Sequence, residues 1–146
     1  MMETGERKTL LVKEQKLKNY AKWNLPGGHL EAGEGFQEGA IREALEETCL
    51  SVRLISLVGI YENCDPLEHC IRVVFVAEIL SGEATAADEI LEVKWFSQSE
   101  IESIPAGDYV GNTRQVLSDY HSGVAFPLAV LKVESRQTWN LPGSNE

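Results

Sequence analysis

The chain has no apolar run approaching the roughly 18 residues needed to cross a bilayer, and Met1 to Arg7 is too polar for a secretory signal. These two absences lead to the expectation of a cytoplasmic protein with no membrane partner. Cysteine is scarce and odd in number: Cys49, Cys64 and Cys70, with no C-x-x-C spacing. That argues against a disulfide framework and against a zinc site, and it fits a reducing compartment. Positive charge is also short. There are 13 Lys+Arg against 23 Asp+Glu, a formal net charge of −10. Such a surface repels nucleic-acid backbone and acidic lipid, so no nucleic-acid polymer is expected as a partner. It repels a free phosphorylated metabolite equally, so an anionic substrate would need a divalent metal between itself and the protein.

What is present is an ordinary globular balance, 43% hydrophobic and 25% charged over 146 residues, which suits a single domain spanning 1–146 around one core. Thr9 to Val12 reads as a short strand, Lys13 to Lys22 as a polar loop, and Trp23-Asn24-Leu25 as a second short strand ended by Pro26-Gly27-Gly28. A helix is predicted from Phe36 to Thr48, and long strands over Val52 to Tyr61 and Cys70 to Leu80. In the latter, Ile71, Val73, Phe75, Ala77 and Ile79 share one face while Val74 and Val76 lie on the other, which predicts cover on both sides. Val93 to Phe96 reads as a strand. Ser97 with Glu100, and Asn112 with Gln115, carry the capping-box signature for two further helices. Phe126 to Val133 reads as a last strand. The alternation of element types predicts an α/β (α+β) layered sandwich, a mixed central β-sheet flanked by helices. Trp23-Asn24-Leu25-Pro26-Gly27 recurs as Trp139-Asn140-Leu141-Pro142-Gly143, without an acidic helix after it.

The informative stretch is the helix and the turn before it. Glu43, Glu46 and Glu47 stand at i, i+3 and i+4, so they share one face, and Ile41, Ala44 and Leu45 are expected to turn towards the sheet. Three like charges so placed repel one another, and a hard cation with oxygen ligands removes the conflict. A solvated acidic face is the bland alternative for an isolated E-x-x-E-E. The preceding Gly27-Gly28 lets backbone approach a ligand with no side chain in the way. Glu34, eight residues before Arg42, is expected to pair with it and hold the loop to the helix.

Gly28, Glu34, Arg42, Glu43, Glu46, Glu47 and Leu50 match the pattern G-x5-E-x7-R-E-U-x-E-E-x-G-U, where U is a bulky aliphatic. In this stretch the chain resembles the Nudix family of MutT-like hydrolases. Three positions depart from the pattern. Cys49 replaces the glycine after the helix, where a left-handed residue costs roughly 1 kcal/mol. Ala44 replaces a bulky aliphatic, and Gly39 weakens the helix interior. None removes a candidate metal ligand.

The resemblance implies an enzyme that hydrolyses a phosphoanhydride bond in a nucleoside di- or triphosphate or a related small pyrophosphate metabolite. It implies Mg2+ or Mn2+ on Glu43, Glu46, Glu47 and the carbonyl of Gly27. Glu47 is the first choice of base within the motif, with Glu46 beside it. The family's frequent alternative, an acid from a distant loop, directs attention to Asp88, Glu89 and Glu92, with Glu89 preferred, although each is equally a plain surface acid. Arg72, interrupting an apolar strand, is a phosphate contact or a surface cation. Trp23 and Tyr61 stack on a base or complete the core, and His29 touches phosphate or orients its loop. Gly28-His29-Leu30-Glu31, Ile71 to Ile79 and Tyr120-His121-Ser122-Gly123 are similar to NudJ-type bacterial phosphatases. Two alternatives stand beside this reading: a Nudix-fold nucleotide sensor that does not cleave, and a nucleoside-diphosphate-sugar pyrophosphatase. The segment before Thr9 is too short and polar for the family's first strand, so the last strand is expected to cover the sheet edge, within one chain or by exchange in a homodimer.

Overall fold

The computed structural model describes residues 1–2, 8–87 and 89–134. Asp88 and the Trp139 to Gly143 repeat therefore lie outside the described residues.

The architecture is built around β1 (Thr9–Glu14), in which Leu10 and Leu11 are both 0% exposed. Successive strand side chains point to opposite faces, so β1 must be covered on two sides. Leu10 packs with Ala44, Leu50, Val52 and Ala77. Leu11 packs with Leu25, Val58, Phe96, Ile101, Val116 and Leu117. β1 pairs antiparallel with β2 (Trp23–Asn24) and with β5 (Ile90–Phe96), giving the order β2-β1-β5. β3 (Ser51–Cys64) and β4 (His69–Ser81) form a long antiparallel hairpin with three register shifts along it. As predicted for β4, its two faces enter different layers, Val74 and Val76 on one and Ala77 and Ile79 on the other.

The expected mixed sheet thus consists, among the described residues, of two antiparallel ladders with parallel contacts at the bridges Met2–Ala77 and Trp23–Tyr109. Met1 and Met2 stand between the ladders. The Leu10 N–H donates to the Met2 carbonyl at 3.1 Å and the Ala77 N–H donates to the Met1 carbonyl at 2.6 Å. The polar look of Met1 to Lys8 hid this pairing.

α1 (Phe36–Thr48) packs on β3 through Ala44 as expected, but not through Ile41 and Leu45. Ile41 and Leu45 are 38% and 53% exposed, while Gly39, Ala44 and Thr48 are buried. Small side chains let the helix lie close to the sheet, and this orientation turns Glu43 and Glu47, neighbours of the buried Ala44 and Thr48, inward with them. α2 (Gln98–Ser103) opens with the predicted capping box, both reciprocal hydrogen bonds being present at 3.2 and 2.7 Å. α3 (Thr113–His121) does not. The Asn112 carboxamide accepts from Arg72 and Gln115 donates to Asp119, so neither is left for capping.

The strand predicted over Phe126 to Val133 is absent. Phe126 exchanges both backbone hydrogen bonds with Leu57 (2.8 and 2.7 Å), and the chain then turns into a single 3-10 turn, Leu128–Val130. Leu128, the next residue whose N–H could face β3, already belongs to that turn. Cover of the β3 edge is therefore one rung, made within the chain. Among the described residues no helix is long and apolar enough to cross a membrane.

Candidate active site

The loop between β2 and α1 lies flat on the helix. A Cβ added to Gly39 would stand 2.5 Å from Leu30 Cδ2 and 3.0 Å from Glu34 Oε2, so the helix glycine is the seat of the loop. Arg42 fastens it. Its Nε and NH2 donate to the two oxygens of Glu34 at 2.6 and 3.0 Å, and NH2 also donates to the His29 carbonyl at 3.1 Å. Glu34 accepts a further bond from the Glu31 N–H, and the Arg42 hydrogen bonds hold its carboxyl below the usual range. The bidentate fork sets both position and angle of the loop.

The same guanidinium reaches the acidic face. Arg42 NH1 donates to Glu43 Oε1 at 2.9 Å and to Glu46 Oε2 at 2.8 Å. Two of the three motif carboxylates therefore already converge on one positive charge. Gly28 allows this, because a Cβ there would fall 2.5 Å from Glu43 Oε1. Glu47 differs from its neighbours. It is turned inward, accepts the Gly27 N–H at 2.9 Å, and burial pushes its pKa up to about 8, with Glu14 and Glu43 adding to the effect and the Gly27 bond opposing it. A half-buried carboxylate near Glu43, in a cleft that Glu46 also lines beside a backbone turn, offers oxygen donors of the kind hard divalent cations take. The residues present fit such an ion.

A second loop closes the site. The Thr85 and Ala87 N–H groups donate to the Thr48 and Glu47 carbonyls at 2.9 and 3.3 Å, satisfying acceptors that the helix end leaves unpaired. This docking brings Glu89 to the rim of an open cleft of about 510 Å³, lined among others by Gly28, His29, Glu43, Glu46 and Glu47. Glu89 is exposed and its oxygen lies 3.5 Å from Lys16 Nζ. Glu92 is elsewhere, paired with Lys13 at 3.0 Å.

Arg72, Trp23 and Tyr61 do not line the cleft, whereas His29 does. Arg72 is held in a partly buried polar network: its NH1 donates to Asn112 Oδ1 and Thr113 Oγ1, both at 3.0 Å, and its NH2 to Asn24 Oδ1 at 2.7 Å. No carboxylate pairs with it among the described residues. Trp23 packs edge-on against Phe96 at 4.7 Å, with Lys13 Nζ 4.7 Å from its ring centre. Tyr61 faces Arg72 across the hairpin and donates to Asp119 at 2.8 Å. His29 lines the cleft and contributes its carbonyl to Arg42.

Sequence reasoning missed Glu14, Lys16 and Asn24. Glu14 is buried, accepts the Asn24 amide at 2.9 Å, and acts electrostatically on both Glu47 and Arg72. Its signal was available: Leu10, Val12 and Glu14 share strand parity, so the acid belongs to the inward face. Lys16 was lost in a lysine-rich loop whose fold no pattern revealed.

Comparison with known proteins agrees with this geometry. The family model described as NUDIX domain matches residues 1–120. The chain is 32% identical to an ADP-ribose pyrophosphatase of Methanocaldococcus jannaschii over 117 residues, 79% of this chain and 66% of that protein. It is also 32% identical to a Bacillus subtilis protein named as a candidate 8-oxo-dGTP diphosphatase, over 78% of this chain and 71% of the relative. The chain thus spans about two thirds of the length of these relatives. A solved NUDIX hydrolase from Nitrosomonas europaea superposes with a TM-score of 0.81 at 32% identity, covering 91% of this chain and 92% of that one. With the motif glutamates set on α1 around a glycine turn and the family model spanning most of the sequence, the chain belongs to the NUDIX domain family.

Proposed function

We propose that the chain hydrolyses a phosphoanhydride bond in a nucleoside di- or triphosphate or a related small pyrophosphate metabolite, with Mg2+ or Mn2+ held by Glu43, Glu46, Glu47 and the Gly27 carbonyl. The observation that carries this reading is that Glu43, Glu46 and Glu47 line one cleft beside the Gly27-Gly28 turn, Glu43 and Glu46 meeting on Arg42 NH1 and Glu47 half-buried on the Gly27 N–H. A bound divalent cation supplies neutralisation of phosphate charge and a more acidic water. The chain's own groups do the rest. Arg42 and Glu34 fix the loop, so that the Gly27 backbone stays at the acidic face. In this reading Glu89, exposed on the cleft rim, accepts a proton from attacking water, and Glu47 is the alternative within the helix. Lys16 and His29 give the acidic cleft cationic or neutral polar partners for phosphate oxygen. Arg72, fixed by three neutral acceptors with no carboxylate paired to it among the described residues, supports a role in holding an anionic or carbonyl group of the substrate beyond the cleft.

The name of the M. jannaschii relative keeps nucleoside-diphosphate sugars among the substrates to be tested. The decisive assay is release of phosphate and nucleotide from nucleoside di- and triphosphates, 8-oxo-dGTP, ADP-ribose and a thiamine-precursor pyrophosphate, with Mg2+, with Mn2+ and with chelator. Metal-dependent turnover of at least one is expected. Tight binding with no turnover of any would replace this reading with that of a nucleotide sensor. The proposal includes a cytoplasmic setting, supported by three free, exposed cysteines. A homodimer would use the exposed Phe126 and Val130, and light scattering that finds monomer at every concentration removes it.

A further inference from the structure

Chain order separates Cys64 from His69 and shows no metal-binding spacing, yet the β3–β4 hairpin brings them face to face. Cys64 and His69 are direct cross-strand partners on the last rung of the ladder, and Glu62, two residues before Cys64, projects from the same face. The Glu62 oxygen, the Cys64 sulfur and a His69 ring nitrogen all lie within 4.8 Å of one another. The His69 Nε2 to Glu62 Oε1 distance is 2.6 Å, and the Cys64 thiol also hydrogen-bonds to the Glu62 carboxylate.

We propose that Glu62, Cys64 and His69 form a zinc-binding site at the tip of the β3–β4 hairpin, with three protein ligands and a fourth position open to water. The donor chemistry selects the ion. A thiolate, an imidazole and a carboxylate suit Zn2+, whereas Mg2+ takes oxygen ligands and gains nothing from sulfur. The hairpin supplies much of the ordering in advance. All three ligands stand on paired positions of the ladder, and the turn beyond is tied by Asp65, whose carboxylate accepts the Leu67 and Glu68 N–H groups at 2.9 and 2.8 Å. Little conformational freedom is then left to lose on binding. Binding exchanges a proton for the metal: the Cys64 S–H bond breaks, an S–Zn bond forms and the proton goes to solvent. The exposed ligands give the ion direct access. The site adjoins the Tyr61–Arg72 rung, one step further into the ladder, so an ion there would stiffen the strand ends that carry both residues.

The probe is Co2+, added to the full chain in excess Mg2+ so that the glutamate site of α1 is occupied. One equivalent of Co2+ is expected to produce a thiolate-to-cobalt charge-transfer band, and Zn2+ is expected to abolish it by displacement. The glutamate site holds no sulfur, so it cannot produce this band. Cys64→Ser should eliminate the band, and His69→Ala should weaken Co2+ binding more than about tenfold. Cys49→Ser and Cys70→Ser should retain it. All five chains should keep the same far-ultraviolet circular dichroism, since the altered side chains are exposed. Absence of the band in the wild-type chain, or its persistence in Cys64→Ser, overturns the proposal whatever the outcome for phosphoanhydride hydrolysis.

Discussion

At the scale of single residues, the site is controlled by what the backbone leaves out as much as by its carboxylates. Gly28 is the sharpest case, because an added Cβ would occupy the space of the Glu43 carboxylate. That carboxylate ends a flexible side chain and can swing away at little energetic cost. Gly28→Ala should therefore change stability by less than about 0.5 kcal/mol while lowering metal affinity and turnover at least about tenfold. Thermal unfolding and metal titration on one preparation check both halves, and equal losses in stability and activity would show that the glycine serves the fold instead. The residue pattern was legible in this region because motif spacing encodes it: Glu34 and Arg42 are paired and Glu43, Glu46 and Glu47 share a face. Tertiary partners were not legible. Nothing in the sequence announces that Asn112 would give up helix capping to accept from Arg72, or that Trp23 would lie on Phe96 away from the cleft.

At the scale of elements, α1 and the loop that follows β4 are joined end to end. Cys49 ends the helix at φ 60°, the left-handed conformation that glycine takes without penalty. Cys49→Gly should stabilise the protein by ~1 kcal/mol, read as a higher denaturant midpoint with unchanged slope. Gly82 has the opposite requirement. Its φ is +101° and an added Cβ would lie 2.4 Å from the Cys49 carbonyl oxygen, which is backbone and cannot swing aside. Gly82→Ala should cost about 1–3 kcal/mol, or roughly 2–4 °C of Tm for each kcal/mol. It should also reduce turnover, because the same loop delivers Glu89. A variant with wild-type Tm would contradict that packing. Helix and strand positions were largely readable from periodicity. The exceptions share a cause: α1 buries Thr48 with the expected Ala44 and leaves Ile41 and Leu45 exposed, and the last segment leaves the β3 edge after one rung to form a 3-10 turn. In both, local pattern yields to the packing of partners distant in sequence.

At the scale of the whole molecule, an excess of acid is concentrated where the proposed metal would sit. Glu47 has its pKa raised to about 8 by burial. In metal-free protein its contribution to stability is fully present below the ordinary glutamate pKa of about 4.3 and is lost as pH rises through about 8. Metal binding needs the ionised form, so below pH 8 it must displace a proton, and affinity should fall about tenfold per pH unit. The rise in Tm produced by a fixed Mg2+ concentration should accordingly be larger at about pH 8 than at about pH 6. A Mg2+ effect independent of pH would exclude Glu47 as the coupled group. The account as a whole rests on the claim that the α1 carboxylates hold the cation that drives hydrolysis. The direct measurement is Mg2+-dependent turnover of Glu47→Gln against wild type, on the best substrate of the panel, with folding monitored by circular dichroism. A fall of about 100-fold or more with the fold intact is predicted; turnover at the wild-type rate would contradict the account.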